Sequence, residues 1–173
     1  MKRENETVYV GIDPGAKGYI CALAPASRSI NFLSNEEKPK YLFDSVINLA
    51  SNFNVKMIMI EDVHSIPNSS AKSNFNFGFN LGLLYGILGS AGCGIDKVQP
   101  KIWQKHIGII TPVRKKGAPK IAPAIRSKKL KNDVAAICER LYPEVSIRGP
   151  KGGLLDGKSD ALMIAHFASH KYR

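Results

Sequence analysis

Four acids stand where the fold alone would not need them. Asp13 closes the apolar run Val8-Tyr9-Val10-Gly11-Ile12 and is followed at once by the turn pair Pro14-Gly15. Glu61, with Asp62 beside it, closes a second apolar run, Val55 to Ile60. Asp156 and Asp160 open an apolar segment near the end of the chain. Their i, i+4 spacing turns a helix by about 40°, so both carboxyls share one face. A carboxylate is costly to bury without a partner. Each acid has an ordinary explanation on its own: Asp13 as a turn residue, Asp156 and Asp160 as charges that suit a helix N-terminus. Taken together, on separate elements around one end of a sheet, they form a set of hard oxygen donors. Mg²⁺ is held in this way, through a few carboxylates and retained water. Two such ions about 4 Å apart stabilise the attacking and leaving oxygens of a phosphodiester displacement.

The remainder of the chain has the opposite charge. Lys and Arg number 25 against 14 Asp and Glu, a net charge of +11. That excess points to a polyanionic partner, nucleic acid first and an acidic membrane surface second. Between Val63 and Asn132 one acid, Asp96, faces twelve Lys or Arg. Lys101 and Lys105 precede the densest part, which holds Arg114, Lys115, Lys116, Lys120, Arg126, Lys128, Lys129 and Lys131. Backbone phosphates would be gripped here, with salt-dependent affinity; a merely solvated face is the plainer alternative. Of Phe75, Phe77 and Phe79, two are expected in the core and one is free to stack on an exposed base.

These residues need elements to position them. The pattern predicts strands at about 7–13, 18–24 and 29–33, forming an antiparallel meander. A helix follows over 39–53, then a central strand from Val55 that ends at Glu61-Asp62. A Ser- and Asn-rich loop covers 64–74, and a long helix runs from about 75 to 91. Its glycines at 78, 82, 86, 89 and 92 fall within a third of the circumference. They make a smooth face, for tight packing on the sheet or for a dimer seam. A short strand spans 95–98, and a helical turn from Pro100 to His106 carries the only tryptophan, Trp103. A basic, flexible loop is expected at about 111–127, then helices over 132–141 and 156–170. The result is an α/β fold in a single domain, residues 1–173. Cys21, Cys93 and Cys138 lie far apart among apolar or small residues, as buried thiols of a reducing compartment do. The first residues lack the apolar core of a signal peptide. The uncharged stretch Ser73–Ile95 is too polar to span a bilayer. A cytoplasmic, non-secreted chain without membrane contact is expected.

Five segments in order carry a family likeness: Gly11-Ile-Asp13-Pro-Gly15, Ile60-Glu61-Asp-Val-His64, Phe75-Asn-Phe-Gly-Phe-Asn-Leu-Gly82, Val98-Gln-Pro-Lys-Ile-Trp103 and Asp156-Gly-Lys-Ser-Asp160-Ala-Leu-Met-Ile-Ala165. Over residues 7–170 the chain resembles the RuvC-like Holliday junction resolvases, most closely their phage and viral branch. The resemblance implies an RNase H-like fold with a mixed five-stranded sheet flanked by helices. It implies a homodimer that cuts four-way DNA junctions, and other branched DNA, by paired hydrolytic nicks that leave 5′-phosphates. It also implies Mg²⁺ or Mn²⁺, two ions per active site. By motif position Asp13, Glu61 and Asp160 are metal ligands and catalytic residues, with Asp156 as a fourth. Two departures stand out. Bacterial members carry an Asp or His three residues before the last Asp, where this chain has Gly157 and places its acid one residue earlier. They often have an aromatic three residues after the catalytic Glu, where this chain has His64, here a DNA-contacting candidate.

Other readings remain open. An RNase H-like nuclease for other branched DNA or for RNA would need the same acids. A non-catalytic junction binder would not need them. Actin-like ATPases and sugar kinases share the Gly-Ile-Asp-x-Gly start, but they require a second such domain and an adenosine loop, for which 173 residues leave no room.

Overall fold

The computed structural model describes residues 6–37, 39–63, 70–110 and 123–173. Five strands and five helices follow in the order β1 (Thr7–Ile12), β2 (Tyr19–Ala24), β3 (Ser29–Ser34), α1 (Pro39–Asn52), β4 (Asn54–Glu61), α2 (Ala71–Ser90), β5 (Ile95–Val98), α3 (Pro100–His106), α4 (Pro123–Leu141) and α5 (Asp156–Lys171). The sheet order is β3-β2-β1-β4-β5. The meander is antiparallel, whereas β1–β4 and β4–β5 are parallel.

The strands alternate between two cores. Tyr9, Cys21, Leu23 and Met59 pack toward α3, α4 and α5. Val8, Val10, Ile12, Ile20, Ile58 and Ile60 pack toward α1 and α2. Side chains two apart share a face, so β1, covered on both sides, reads as an unbroken apolar run. Helix α5 is buried almost all round, from Gly157 to Ser169. It lies so close to β1 that a Cβ on Gly11 would come within 2.2 Å of the Ala161 carbonyl oxygen and the Ala165 nitrogen. Only glycine fits there.

Several boundaries differ from the sequence expectation. Helix α2 begins at Ala71, inside the expected loop, because the Ser70 hydroxyl caps it by accepting from the Ser73 N–H at 3.1 Å. Helix α4 begins at Pro123, so 123–127 is helical, with the proline in the first turn where its missing N–H costs nothing. The rest of the expected basic loop, 111–122, lies outside the described residues.

The glycine face of α2 does not pack on the sheet. A Cβ on Gly78, Gly82, Gly86, Gly89 or Gly92 would meet nothing within 4 Å among the described residues, so the face is not packed on the sheet. The helix buries only Leu84, Ile87 and Leu88, all in its C-terminal half. Phe75 and Phe79 are therefore 72% and 63% exposed, not core, and Phe77 is only half-buried. Cys21 and Cys138 are buried, and Cys93 is half-buried. No described helix is long and apolar enough to cross a membrane.

Candidate active site

Parallel pairing brings the first two acids together. Ile12 is opposite Ile60 in the β1–β4 register, so Asp13 and Glu61 leave neighbouring strands at the same end of the sheet. Helix α5 starts at that end and brings in Asp156 and Asp160. The four acids expected from the sequence thus converge.

Asp13 is held in a shaped turn. Its Oδ1 accepts the Gly15 N–H at 2.9 Å, so it does cap the turn, as its ordinary explanation requires. Asn35 Nδ2 ties the turn down by donating to the carbonyl oxygens of Asp13 (2.7 Å) and Gly15 (2.9 Å). The other oxygen of Asp13 looks at α5. A Cβ on Gly157 would lie 2.8 Å from Asp13 Oδ2 and 2.7 Å from the Lys17 carbonyl oxygen. No side chain fits at 157 without moving Asp13 or the turn. That is a physical reason for the acid to stand at 156.

Glu61 is fixed by a residue that sequence reasoning left without a role. Trp103, fully buried in α3, donates its indole N–H to Glu61 Oε1 at 2.9 Å. A second unanticipated member is Lys131 of α4, whose Nζ lies 2.5 Å from Asp156 Oδ2. Its only sequence signal was membership of the basic run.

The electrostatics are those of acids crowded together. Burial pushes the Glu61 carboxyl up to about 7; the Trp103 bond opposes this and the Asp13 charge adds to it. Asp13 is raised by burial and by Asp156, against the Gly15 N–H and Lys131. Asp160 is raised well above its ordinary value by burial and then by Asp13, Glu61 and Asp156, with Lys131 opposing. Lys131 is correspondingly raised, first by its bond to Asp156. Lys131 offsets only part of this crowding of acids. Its donors are all hard oxygens, and no three of these acids each place an oxygen within 4.8 Å of the other two. A hard divalent ion fits that chemistry, and the spread exceeds the cage in which three carboxyls contact a single ion.

The basic candidates divide. Lys101 and Lys105 are exposed on α3, and Lys128 is exposed on α4. Lys129, also exposed, pairs with Asp133 at 2.7 Å. His64, Arg114, Lys115, Lys116 and Lys120 lie outside the described residues.

No family model matches the chain, and no curated protein matches it. Solved structures do. Thermus thermophilus RuvC in complex with a Holliday junction substrate is similar at a TM-score of 0.59 and 16% identity, over 95% of this chain and 96% of that one. A second T. thermophilus RuvC structure gives a TM-score of 0.54 and 18% identity, over 95% and 97%. The fold is that of RuvC. It is the RNase H-like α/β arrangement, a mixed five-stranded sheet flanked by helices. The RuvC fold accounts for the layout: two central parallel strands deliver acids to one end, and a helix packed across them completes the set.

Proposed function

We propose that this chain is a metal-dependent, structure-specific endonuclease that resolves four-way DNA junctions by paired phosphodiester hydrolysis, leaving 5′-phosphates. The observation that carries the reading is geometric: Asp13 and Glu61 leave neighbouring parallel strands at the same end of the sheet, where α5 brings in Asp160 and Asp156, in an otherwise basic chain. Asp13, Glu61 and Asp160 would hold Mg²⁺ or Mn²⁺, two ions in all, with Asp156 as an outer ligand shared with Lys131. When bound, the ions would lower the pKa of water and neutralise charge on the phosphodiester. The chain's own residues do the rest. Trp103 orients Glu61, the Gly15 N–H orients Asp13, and the missing side chain of Gly157 leaves Asp13 its room. Lys101, Lys105, Lys128 and Lys129, with His64, Arg114, Lys115, Lys116 and Lys120, would bind the DNA backbones. Two-fold junctions suit a two-fold enzyme, and the bare glycine face of α2 with exposed Phe75 and Phe79 is our candidate for the homodimer seam. Assignment to the phage branch rests on the five sequence segments, the single domain on chain length, and action in the cytoplasm on the scattered free cysteines.

The decisive experiment is cleavage of a labelled, immobile four-way junction. Symmetric nicking in Mg²⁺ is expected, lost in EDTA and in Asp13→Asn while junction binding persists. Equal cutting of plain duplex would refute resolution in favour of a general nuclease, and stronger cutting of forks or flaps would favour a differently branched substrate. Binding without cutting by the metal-loaded protein would favour the non-catalytic binder. That reading is weaker because a phosphate-binding cleft gains nothing from carboxylates that repel the ligand.

A further inference from the structure

The far end of α5 carries a second set of ligands that the acids do not use. His166 and His170 lie one turn apart on α5, and His106, the last residue of α3, stands against them. One ring nitrogen from each lies within 4.8 Å of the other two. Among the described residues this is the only trio of His, Cys, Asp or Glu side chains to meet that condition. The ring centroids are 4.3 Å apart for His166–His170, 5.2 Å for His106–His170 and 6.1 Å for His106–His166.

The bonds around the rings leave lone pairs free. His170 Nδ1 lies 2.9 Å from the His166 carbonyl oxygen, a contact in which the nitrogen must donate. That bond occupies Nδ1 and leaves Nε2 as the ring atom open to a ligand. His166 Nδ1 bonds the Tyr142 hydroxyl at 2.8 Å, which again leaves Nε2. A bond from the far nitrogen to a carbonyl or other polar group is how metal-ligating histidines are oriented. Burial, with His170 and His106, holds His166 down to about 4, and burial and His170 lower His106, which favours the unprotonated form of both rings. Neutral imidazole is the form that ligates. Phe167, edge-on to His106 at 5.1 Å, closes one side, while His106 itself is exposed.

We propose that His106, His166 and His170 form a second metal site, for a borderline divalent transition ion, Zn²⁺ first, with its remaining position open to solvent. Imidazole selects Zn²⁺, Cu²⁺ or Ni²⁺, whereas carboxylates and water select Mg²⁺ and Mn²⁺, so the two sites take different ions. Zn–N bonds of about 2.0–2.1 Å require the rings to close slightly on the ion. Bound there, the ion ties the end of α3 to α5. Helix α3 also carries Trp103, so the clamp acts on the element that orients Glu61.

The test is titration of the full, metal-stripped chain with Co²⁺, followed by displacement with Zn²⁺. One Co²⁺ per chain with the strong visible absorption of a four-coordinate, nitrogen-ligated ion is expected, bleached by Zn²⁺. The signal should persist in Asp160→Asn. It should vanish in His106→Ala, whose exposed position keeps the fold intact, and in His170→Ala. Tyr142→Phe, which removes only the bond to His166, should weaken binding about tenfold. Absence of that absorption in the wild type overturns the proposal. So does a signal retained in His106→Ala or lost in Asp160→Asn. None of these outcomes depends on nuclease activity.

Discussion

The two ends of α5 take titratable groups out of water with opposite results. At the first end burial lifts carboxyls, Glu61 to about 7 and Asp160 well above its ordinary value. At the second it depresses an imidazole, His166 to about 4. The cause is the same: low-dielectric surroundings penalise the charged form of either group. The consequence differs because the charged form is an anion in one case and a cation in the other. The first end stores repulsion that a hard cation would relieve. The second stores neutral lone pairs that a borderline cation can share. One helix thus presents two chemistries two to three turns apart.

The largest effect should come from breaking the first end. Asp160→Asn, or Asp13→Asn, should reduce junction nicking by more than about 100-fold, beyond the usual cost of losing a supporting partner of a metal ligand. Single-turnover nicking measures it, and near-normal rates would remove the acids from catalysis. Gly157→Ala should follow, with a loss of roughly 10- to 100-fold. Its Cβ would meet Asp13 Oδ2 at 2.8 Å and must displace that carboxyl. A shift of about 1 Å in a catalytic group costs up to about 100-fold. An unchanged rate would mean that the Asp13 position is not critical.

Stability against pH sets the two ends directly against each other. Glu61 has a folded pKa of about 7 against an ordinary 4.5. Between those values the unfolded chain has released a proton that the folded chain still holds, so stability falls as pH rises. His166 has a folded pKa of about 4 against an ordinary 6.5. In that window the unfolded chain holds the extra proton, so stability rises with pH and is complete above the unfolded value. Each contribution is at most about 3 kcal/mol, and smaller for His166, whose ring is partly screened by solvent. In EDTA, Glu61→Gln should therefore tilt the wild-type profile upward with pH, and His166→Asn should tilt it downward. Urea midpoints between pH 4 and 8 check both signs. The same tilt in both variants would break the contrast. Added Mg²⁺ should stabilise the wild type more at pH 8 than at pH 5, because only ionised carboxyls bind it.

The strands and the first end were legible in the sequence for a physical reason. A strand buried on both faces must be apolar throughout, so an acid at its end stands out. Asp13 and Glu61 are visible on that ground, and the parallel register only confirms their meeting. Contributions from packing were not legible. Trp103 reaches Glu61 across 42 residues of sequence, and Lys131 reaches Asp156 only because α4 lies beside α5. His166 and His170 show helical spacing, but nothing local indicates that His106 joins them. Helix α2 misled in the other direction: its phenylalanines look like core residues, but the helix buries only Leu84, Ile87 and Leu88 of its C-terminal half. The start of α4 was hidden because Pro123 reads as a breaker, although a first-turn proline costs a helix little.

The smallest effect tests why one end carries its own cation. Lys131 Nζ sits 2.5 Å from Asp156, and both side chains remain partly exposed, so the pair is worth at most about 1 kcal/mol. Its positive charge still opposes the upward shifts of Asp13 and Asp160. Lys131 thus partly fills the deficit a metal ion would fill, and it competes for the same oxygens. Lys131→Gln should lower the Mg²⁺ concentration for half-maximal nicking by about two- to fivefold, the range that such a pair allows. It should leave Co²⁺ binding at the histidines unchanged, because Arg173 is the basic side chain that bears on His166. A higher Mg²⁺ requirement would mean that Lys131 positions Asp156 for the ion and does not stand in for it.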